Sequence, residues 1–418
     1  MDIVADLHVH GRYAAACSKD LSIDNLEKYA RVKGVNLLGT GDCLHPQWLA
    51  ELKKNLTQDN QGILWTKDRF PFILQTEISL IYTQNNKGRR IHYLVLVPNL
   101  DILDQIIEAL KKKGRVDYDG RPIFGTSSIE FVEKMMDISK DIEVIPAHAW
   151  TSWYGIFGSM SGFDSLEECF GEKTKYIHAI ETGLSSNPKM NWRIKFLDDI
   201  TLVSFSDLHS YWPWRLGREA TVFDLQELTY ENIVKSIRTK TNVVETIEFF
   251  PEEGKYHYDG HRNCNFSCEP SRSKELKNIC PRCNHDLTIG VMNRVEELAD
   301  RPEDYVPQNA IPFKSFVPLS ELISAILNTT PYSKSTWEIY SKLIDRFNNE
   351  LNVMLNIPAD ELEKVVEKRI AELIIKNREG AINIKPGYDG VYGKILLNGE
   401  IQERETIIEN KNNLKRFL

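Results

Sequence analysis

From residue 2 to about residue 225, short apolar, β-branched runs alternate with segments of helical period, and nearly every run ends in a histidine or a carboxylate. Such alternation is the signature of βα units around a parallel sheet, since a helix that returns over a buried strand brings the chain to its parallel neighbour. The expected strands are residues 2–7, 35–40, 72–76, 91–97, 143–147, 177–181 and 201–206. Between the first two, Ser22 caps a helix with Leu26, Tyr29 and Ala30 on one face, and Gly34 stops it. Residues 82–90, centred on Asn85-Asn86-Lys87-Gly88, predict a turn between adjacent strands, so the alternation includes one hairpin-like connection.

The polar residues fall in a pattern. Asp6, His8 and His10 follow the first run and Asp42 and His45 the second, while Glu77 ends the third; His92 lies within the fourth. His148 ends the fifth, Glu181 the sixth, and Asp207 and His209 follow the seventh. In a parallel barrel the C-terminal strand ends share one rim, so groups two hundred residues apart converge. Alone, His92 or His178 reads as a core or surface histidine, and Asp42 as a helix cap. Together, imidazoles and carboxylates crowded on one rim require cations between them, and mixed nitrogen and oxygen donors suit zinc, manganese or iron. His8 and His10, two apart on an extended segment, project to the same side. Two such ions would activate a water and stabilise an in-line phosphoryl centre, so no serine or cysteine nucleophile is needed.

The rest of the chain is organised differently. After a strand-like stretch at 246–250 comes a polar segment carrying Cys264, Cys268, Cys280 and Cys283. Two close cysteine pairs predict one tetrahedral structural zinc, with His257, His261 or His285 able to replace one thiolate. Beyond Pro312, residues 319–327, 335–355 and 359–377 have helical spacing, and a glycine-rich hairpin follows at 385–393. The expected units are 1–240, 245–305 and 310–418. Aromatic residues at 150–157 offer faces to stack on bases or to cover the rim.

Composition bounds the function. With 42% hydrophobic and 27% charged residues the 418-residue chain is globular, and 52 Lys plus Arg against 60 Asp plus Glu, a net charge of −8, argues only weakly against a nucleic-acid surface. No apolar run reaches membrane-spanning length, there is no secretory signal at the start, and four of seven cysteines cluster, so the expectation is a cytoplasmic protein in a reducing compartment with no membrane partner.

Asp6-Leu7-His8-Val9-His10, Thr40-Gly41-Asp42, Glu77 with His92, Pro146-Ala147-His148 and Ser206-Asp207-Leu208-His209 resemble the successive motifs of the polymerase and histidinol phosphatase (PHP) family. The resemblance implies an α/β fold, a distorted seven-stranded (β/α) PHP barrel, followed here by a zinc-ribbon-like module and a helical C-terminal domain. It also implies two to three divalent metals (zinc, manganese or magnesium). His8, His10, Glu77 and Asp207 would hold one; Glu77, His92 and His148 a second; and His209 with Asp42 or His45 a third. Glu77, Asp207 and His148 would be the catalytic core. The second motif departs from the family's Asp-His by reading Asp42-Cys43-Leu44-His45, which leaves the third ion open.

His257-Tyr258-Asp259-Gly260-His261, Cys280-Pro281-Arg282-Cys283, residues 287–301 and the 386–393 loop resemble endonuclease Q more narrowly. That resemblance implies a DNA-repair endonuclease cutting 5′ of deaminated bases (hypoxanthine, uracil, xanthine) or abasic sites, with damaged duplex or single-stranded DNA as partner. The alternative is a PHP phosphatase for small phosphate monoesters. A non-catalytic nucleic-acid module is disfavoured, because no expected ligand position in the main site is lost. The tail 411–418 resembles a sliding-clamp-binding peptide, with Leu414, Phe417 and Leu418 as contacts, although lysine stands where glutamine is usual.

Overall fold

The computed structural model describes residues 1–396. The tail expected to bind a clamp, with Leu414, Phe417 and Leu418, lies outside the described residues. No described helix is long and apolar enough to cross a membrane.

The fold is mixed α/β. The seven expected strands are all present: β1 Asp2–Asp6, β2 Leu37–Gly39, β3 Pro71–Gln84, β4 Lys87–Val97, β5 Glu143–Pro146, β6 Ala179–Glu181 and β7 Thr201–Val203. β1, β2 and β3 are parallel neighbours, and β6 pairs in parallel with β7. The crossover helix α1, Ile23–Lys33, starts and stops as read: the Ser22 hydroxyl accepts the Asn25 N–H, and Gly34 turns left-handed with φ 100°.

The expectation of a parallel sheet is corrected on one side. β3 and β4 form one long antiparallel hairpin, and β5 runs antiparallel to β4. A two-residue turn, Asn85 and Asn86 at φ 54° and 59°, joins the hairpin; the left-handed backbone of both residues matches the twist of the strands. His92 therefore enters the site from mid-strand. It lies opposite Ser79, which shares a face with Glu77 two residues away, so the register brings His92 beside Glu77. Loop hydrogen bonds continue the succession: Ala149 N–H to Glu181 O, Thr182 N–H to Val203 O, and His10 N–H to Leu208 O.

Two buried cores sandwich this sheet. Ile3, Ala5, Leu7, Leu94, Leu96 and Phe205 fill one side, while α1 and its fellow helices pack on the other. The sheet does not end at residue 240. β8, Ala220–Asp224, lies antiparallel to β1; β9, Val243–Glu248, lies beside β8; and β10, Phe313–Ser315, adds in parallel to β9. The boundary expected near 245 thus cuts through the sheet. Helices α2 Leu319–Leu327, α3 Lys334–Phe347, α4 Glu350–Leu355 and α5 Lys368–Arg378 share one core with Ala220, Val222 and Ile247. The helix expected over 335–355 breaks at Asn348, left-handed at φ 74°, and the Asn349 side chain caps the next helix. The one expected over 359–377 likewise resolves into a short turn and α5.

The cysteine segment is a hairpin of Asp259–His261 with Phe266–Cys268 over a core of only Phe266, Cys280 and Leu287. The glycine-rich loop returns to brace it: Asp389 accepts from the Arg262 N–H and the Thr288 hydroxyl, both at 2.7 Å.

Candidate metal centre

The strand ends supply a knot of buried histidines and acids. His8, His10 and Glu77 are fully buried. Asp42, His148 and Asp207, which follow β2, β5 and β7, have left-handed backbones at φ 38°, 31° and 47°. Non-glycine residues pay strain to sit there, and such strain collects where geometry is held for function.

Two sets of ligand atoms converge to within 4.8 Å: His8, His10, Glu77 and Asp207, and Glu77, His92 and His148. Glu77 belongs to both. Its Oε1 lies 2.7 Å from His92 Nδ1 and 3.1 Å from His148 Nε2, and its Oε2 lies 3.3 Å from His10 Nε2. Asp207 Oδ1 is 3.1 Å from His10 Nε2 and 3.5 Å from His8 Nε2.

Three of the four imidazoles are aimed by a partner behind them. His8 Nδ1 contacts both oxygens of buried Glu181, at 2.9 and 3.0 Å, and Glu181 also accepts the His148 N–H at 2.6 Å. His10 Nδ1 contacts Asp42 at 2.9 Å, and His148 Nδ1 meets the Thr151 hydroxyl at 2.7 Å. A carboxylate that takes the Nδ1–H fixes the tautomer and leaves the Nε2 lone pair for a cation. His8 Nε2 is buried without a hydrogen-bond partner, between Glu77 and Asp207. That orphaned nitrogen is what a metal ligand looks like, and the donor set fits divalent ions.

Electrostatics say the same. Burial opposes the charged form of His8, but Glu181 and Asp207 outweigh it and hold its pKa well above the ordinary range; Asp42, with Asp207, does this for His10. Burial likewise opposes the Glu77 and Asp207 carboxylates, yet His92 and His8 respectively hold them well below the usual range. Protons on the imidazoles occupy the electrostatic role of cations.

Asp42 and His209 were expected to ligate metal, and neither joins a converging set. Asp42 spends one oxygen on His10 and the other on the Gly11 N–H at 2.6 Å, so it orients a ligand. His209 packs tilted against His10 with centroids 4.6 Å apart, its Nδ1 held by the Asp207 carbonyl at 2.9 Å. His45, the other residue expected at a third ion, stacks on Tyr13. In the cysteine module the four converging groups are His261, Cys264, Cys280 and Cys283. His261 joins three of the four expected cysteines there, and the fourth, Cys268, packs with Cys264 and Cys283 against the same small core.

The aromatic 150–157 loop covers the rim. Trp150 is buried with its N–H on Asn191, and the Tyr154 ring packs tilted against His92 with centroids 4.3 Å apart. Sequence reasoning missed Arg121, whose Nη1 donates to Glu77 Oε2 at 3.1 Å. A glycine before an arginine in the loop after the Glu77 hairpin was its only trace.

The family model of the MJ0043 C-terminal domain matches residues 318–381. The uncharacterized protein MJ0043 of Methanocaldococcus jannaschii is 33% identical over 253 residues, 59% of this chain; the match spans 31% of that protein's length. The lesion-specific endonuclease PfuEndoQ from Pyrococcus furiosus is 30% identical, with a TM-score of 0.85 over 94% of this chain and 95% of that one. The chain belongs to the endonuclease Q family. A structure of endonuclease Q with a 27-mer duplex bearing an abasic lesion at its active site agrees, with 30% identity and TM-score 0.85 over 99% and 100% of the two chains. Membership makes the chain an enzyme, a metal-dependent endonuclease, and the two converging sets are the candidate positions for its metals.

Proposed function

We propose that the chain is a DNA-repair endonuclease that hydrolyses the phosphodiester 5′ of deaminated bases (hypoxanthine, uracil, xanthine) or of abasic sites. The observation that carries this reading is the joint one: the two metal-ligand sets bridged by Glu77 sit in a chain similar over 99% of its length to an endonuclease Q holding lesion-bearing duplex. The reading of the sheet as a distorted seven-stranded PHP barrel, with a zinc module and a helical domain appended, belongs to the same proposal.

Two divalent ions held by His8, His10, Glu77 and Asp207 and by Glu77, His92 and His148 would supply an activated water and neutralise charge on the phosphoryl group. The chain's own residues do the rest. Glu181, Asp42 and Thr151 fix the imidazoles, and buried strand ends keep the ligands from relaxing. Beside Asp207 and His209 opens a cleft of about 630 Å³, lined by Arg215, Arg218, Glu253 and Glu321. That volume is in the range of ligand pockets, and accommodates an extruded nucleotide next to the metals. Burial pushes the Glu253 carboxyl well above its usual range, and one of its oxygens is buried without a partner. A neutral carboxyl and guanidinium groups donate hydrogen bonds. A deaminated base presents a carbonyl oxygen where its parent carries an amino group, so a donor-lined cleft favours the lesion.

The test is incubation of end-labelled duplexes bearing deoxyinosine, uracil or an abasic site, with and without EDTA, with the cut mapped to one nucleotide. Cutting 5′ of the lesion, abolished by chelation and by Asp207→Asn, is expected; hydrolysis of a small phosphate monoester alone would replace this reading with a phosphatase.

A further inference from the structure

Arg121 reaches the metal knot from outside the expected motifs. Its loop is fixed from two sides. Gly120 crosses Asp42 so closely that a Cβ would lie 2.2 Å from Asp42 Oδ2, so this position tolerates only glycine. Asp119 Oδ1 accepts the Ala15 N–H at 3.2 Å and the Arg121 N–H at 3.1 Å, which ties the loop to the segment after His10. The Pro122 carbonyl accepts the Ser79 N–H at 3.0 Å, two residues past Glu77. The backbone is thus anchored both to the His10 loop and to the Glu77 strand.

The guanidinium is placed differently from the ligands it touches. The Glu77, His8 and His10 side chains are fully buried, whereas that of Arg121 is 27% exposed. Its contact with Glu77 uses Nη1 alone, and among the described residues no other of its side-chain donors makes a protein hydrogen bond. An arginine kept only to neutralise a carboxylate gains most from a two-pronged grip. This one keeps the rest of its fork off protein acceptors on a side chain that is partly exposed, so it is free to take a phosphate oxygen.

We propose that Arg121 is a catalytic residue that binds a non-bridging oxygen of the scissile phosphodiester beside the two ligand sets that Glu77 joins. This rests on the reading of the site as a phosphodiesterase. As a water oxygen bonds to phosphorus, negative charge builds on the non-bridging oxygens. The phosphorus–oxygen bond to one sugar then breaks, and that oxygen leaves with the proton the water gives up. Arg121 keeps its protons throughout and supplies fixed positive charge where the charge develops.

The test compares the full-length protein with Arg121→Ala and Arg121→Lys on lesion-bearing duplex and on bis(4-nitrophenyl) phosphate, with bound metal measured in the same preparations. Arg121→Ala should lower kcat on the order of 10²- to 10³-fold, the cost of removing one such donor. Arg121→Lys should lose less, since it keeps the charge without the fork. Metal content and affinity should hold within about twofold in both, and free methylguanidinium should restore part of the Ala variant's rate while leaving Lys unchanged. A kcat for Arg121→Ala within about threefold of wild type overturns the proposal. So does a loss matched by lost metal and repaired by excess metal, which would make Arg121 a brace for Glu77. If Ala does not fold, Lys decides by the same criteria: a wild-type kcat, or a loss repaired by metal, overturns the idea. Wild-type hydrolysis of the diester without lesion cutting would remove the repair reading while Arg121 is judged on the diester, and inertness on both would overturn both.

Discussion

Replacing Glu181 by glutamine separates metal affinity from stability. The carboxylate makes two kinds of contact at once, to His8 Nδ1 at 2.9 and 3.0 Å and to the His148 N–H at 2.6 Å. Glutamine has one acceptor oxygen for those two donors. If its oxygen takes the His148 N–H, its amide NH2 faces His8 Nδ1 and favours the tautomer with the proton on Nε2, which points that proton at the metal position. If instead the oxygen takes the His8 proton, two N–H groups face each other at His148. Loss of such an orienting partner costs about 10- to 100-fold in metal affinity, or about 1.4 to 2.7 kcal/mol. Stability should change less. An unpaired buried N–H costs about 1 to 3 kcal/mol. Against that, after burial itself the Glu181 charge adds to what pushes Glu219 well above its normal range and Glu248 up to about 8, so removing it relieves repulsion. Manganese titration of the metal-free protein by calorimetry, with melting curves with and without metal, measures both. An Glu181→Gln variant that binds manganese as wild type does and gains as much melting temperature from it would refute the orientation argument.

Three further outcomes follow from the same geometry. In the metal-free protein His8 and His10 have raised pKa values, so their contribution to stability is full below the ordinary imidazole pKa and is lost as pH rises through the higher folded values; Glu77 and Asp207, depressed, contribute above the ordinary carboxylate range and lose it as pH falls. Metal uptake near neutrality must therefore release protons and tighten as pH rises, which calorimetry in buffers of different ionisation enthalpy reads directly. Cys280→Ser or Cys283→Ser should cost one zinc per chain and open residues 255–290 to protease while the sheet stays folded, because Phe266, Cys280 and Leu287 are too small a core to hold the hairpin alone. Lys33→Met should destabilise by about 3 to 5 kcal/mol in urea unfolding. Lys33 is fully buried on Glu350 at 2.7 Å, and the double change Lys33→Met with Glu350→Leu should recover much of that loss.

What the chain disclosed and what it withheld divide along physical lines. Strand runs, the Ser22 cap and the Gly34 stop depend on local backbone preference, and they sit within a few residues of where periodicity places them. The hairpin turn was legible for the same reason. Its consequence was not: the direction and register of β4 depend on pairing across the sheet, and that pairing sets His92 opposite Ser79 and so beside Glu77. The ligand list was legible because chemistry demands those residue types at strand ends. The division of labour among the acids was not, because Asp42 and Glu181 differ from Glu77 and Asp207 only in what lies behind them.

The same limit explains both the zinc module and Arg121. Cysteine spacing announces a tetrahedral site, but that His261 joins it depends on the pairing of Asp259–His261 with Phe266–Cys268, which sets His261 on the same face as Cys268. Arg121 belongs to no motif; its place is set by a glycine packed against Asp42 and by a carbonyl held at Ser79. Ligands that must contact an ion are constrained in residue type, and so leave a mark in sequence. Groups that aim a ligand or grip a substrate are constrained in position, and a three-dimensional frame is needed to find them. Glu181 and Arg121 are the sharpest cases, one behind the ligands and one in front, and their substitutions should fail differently: the first in metal affinity, the second in turnover with the metals in place.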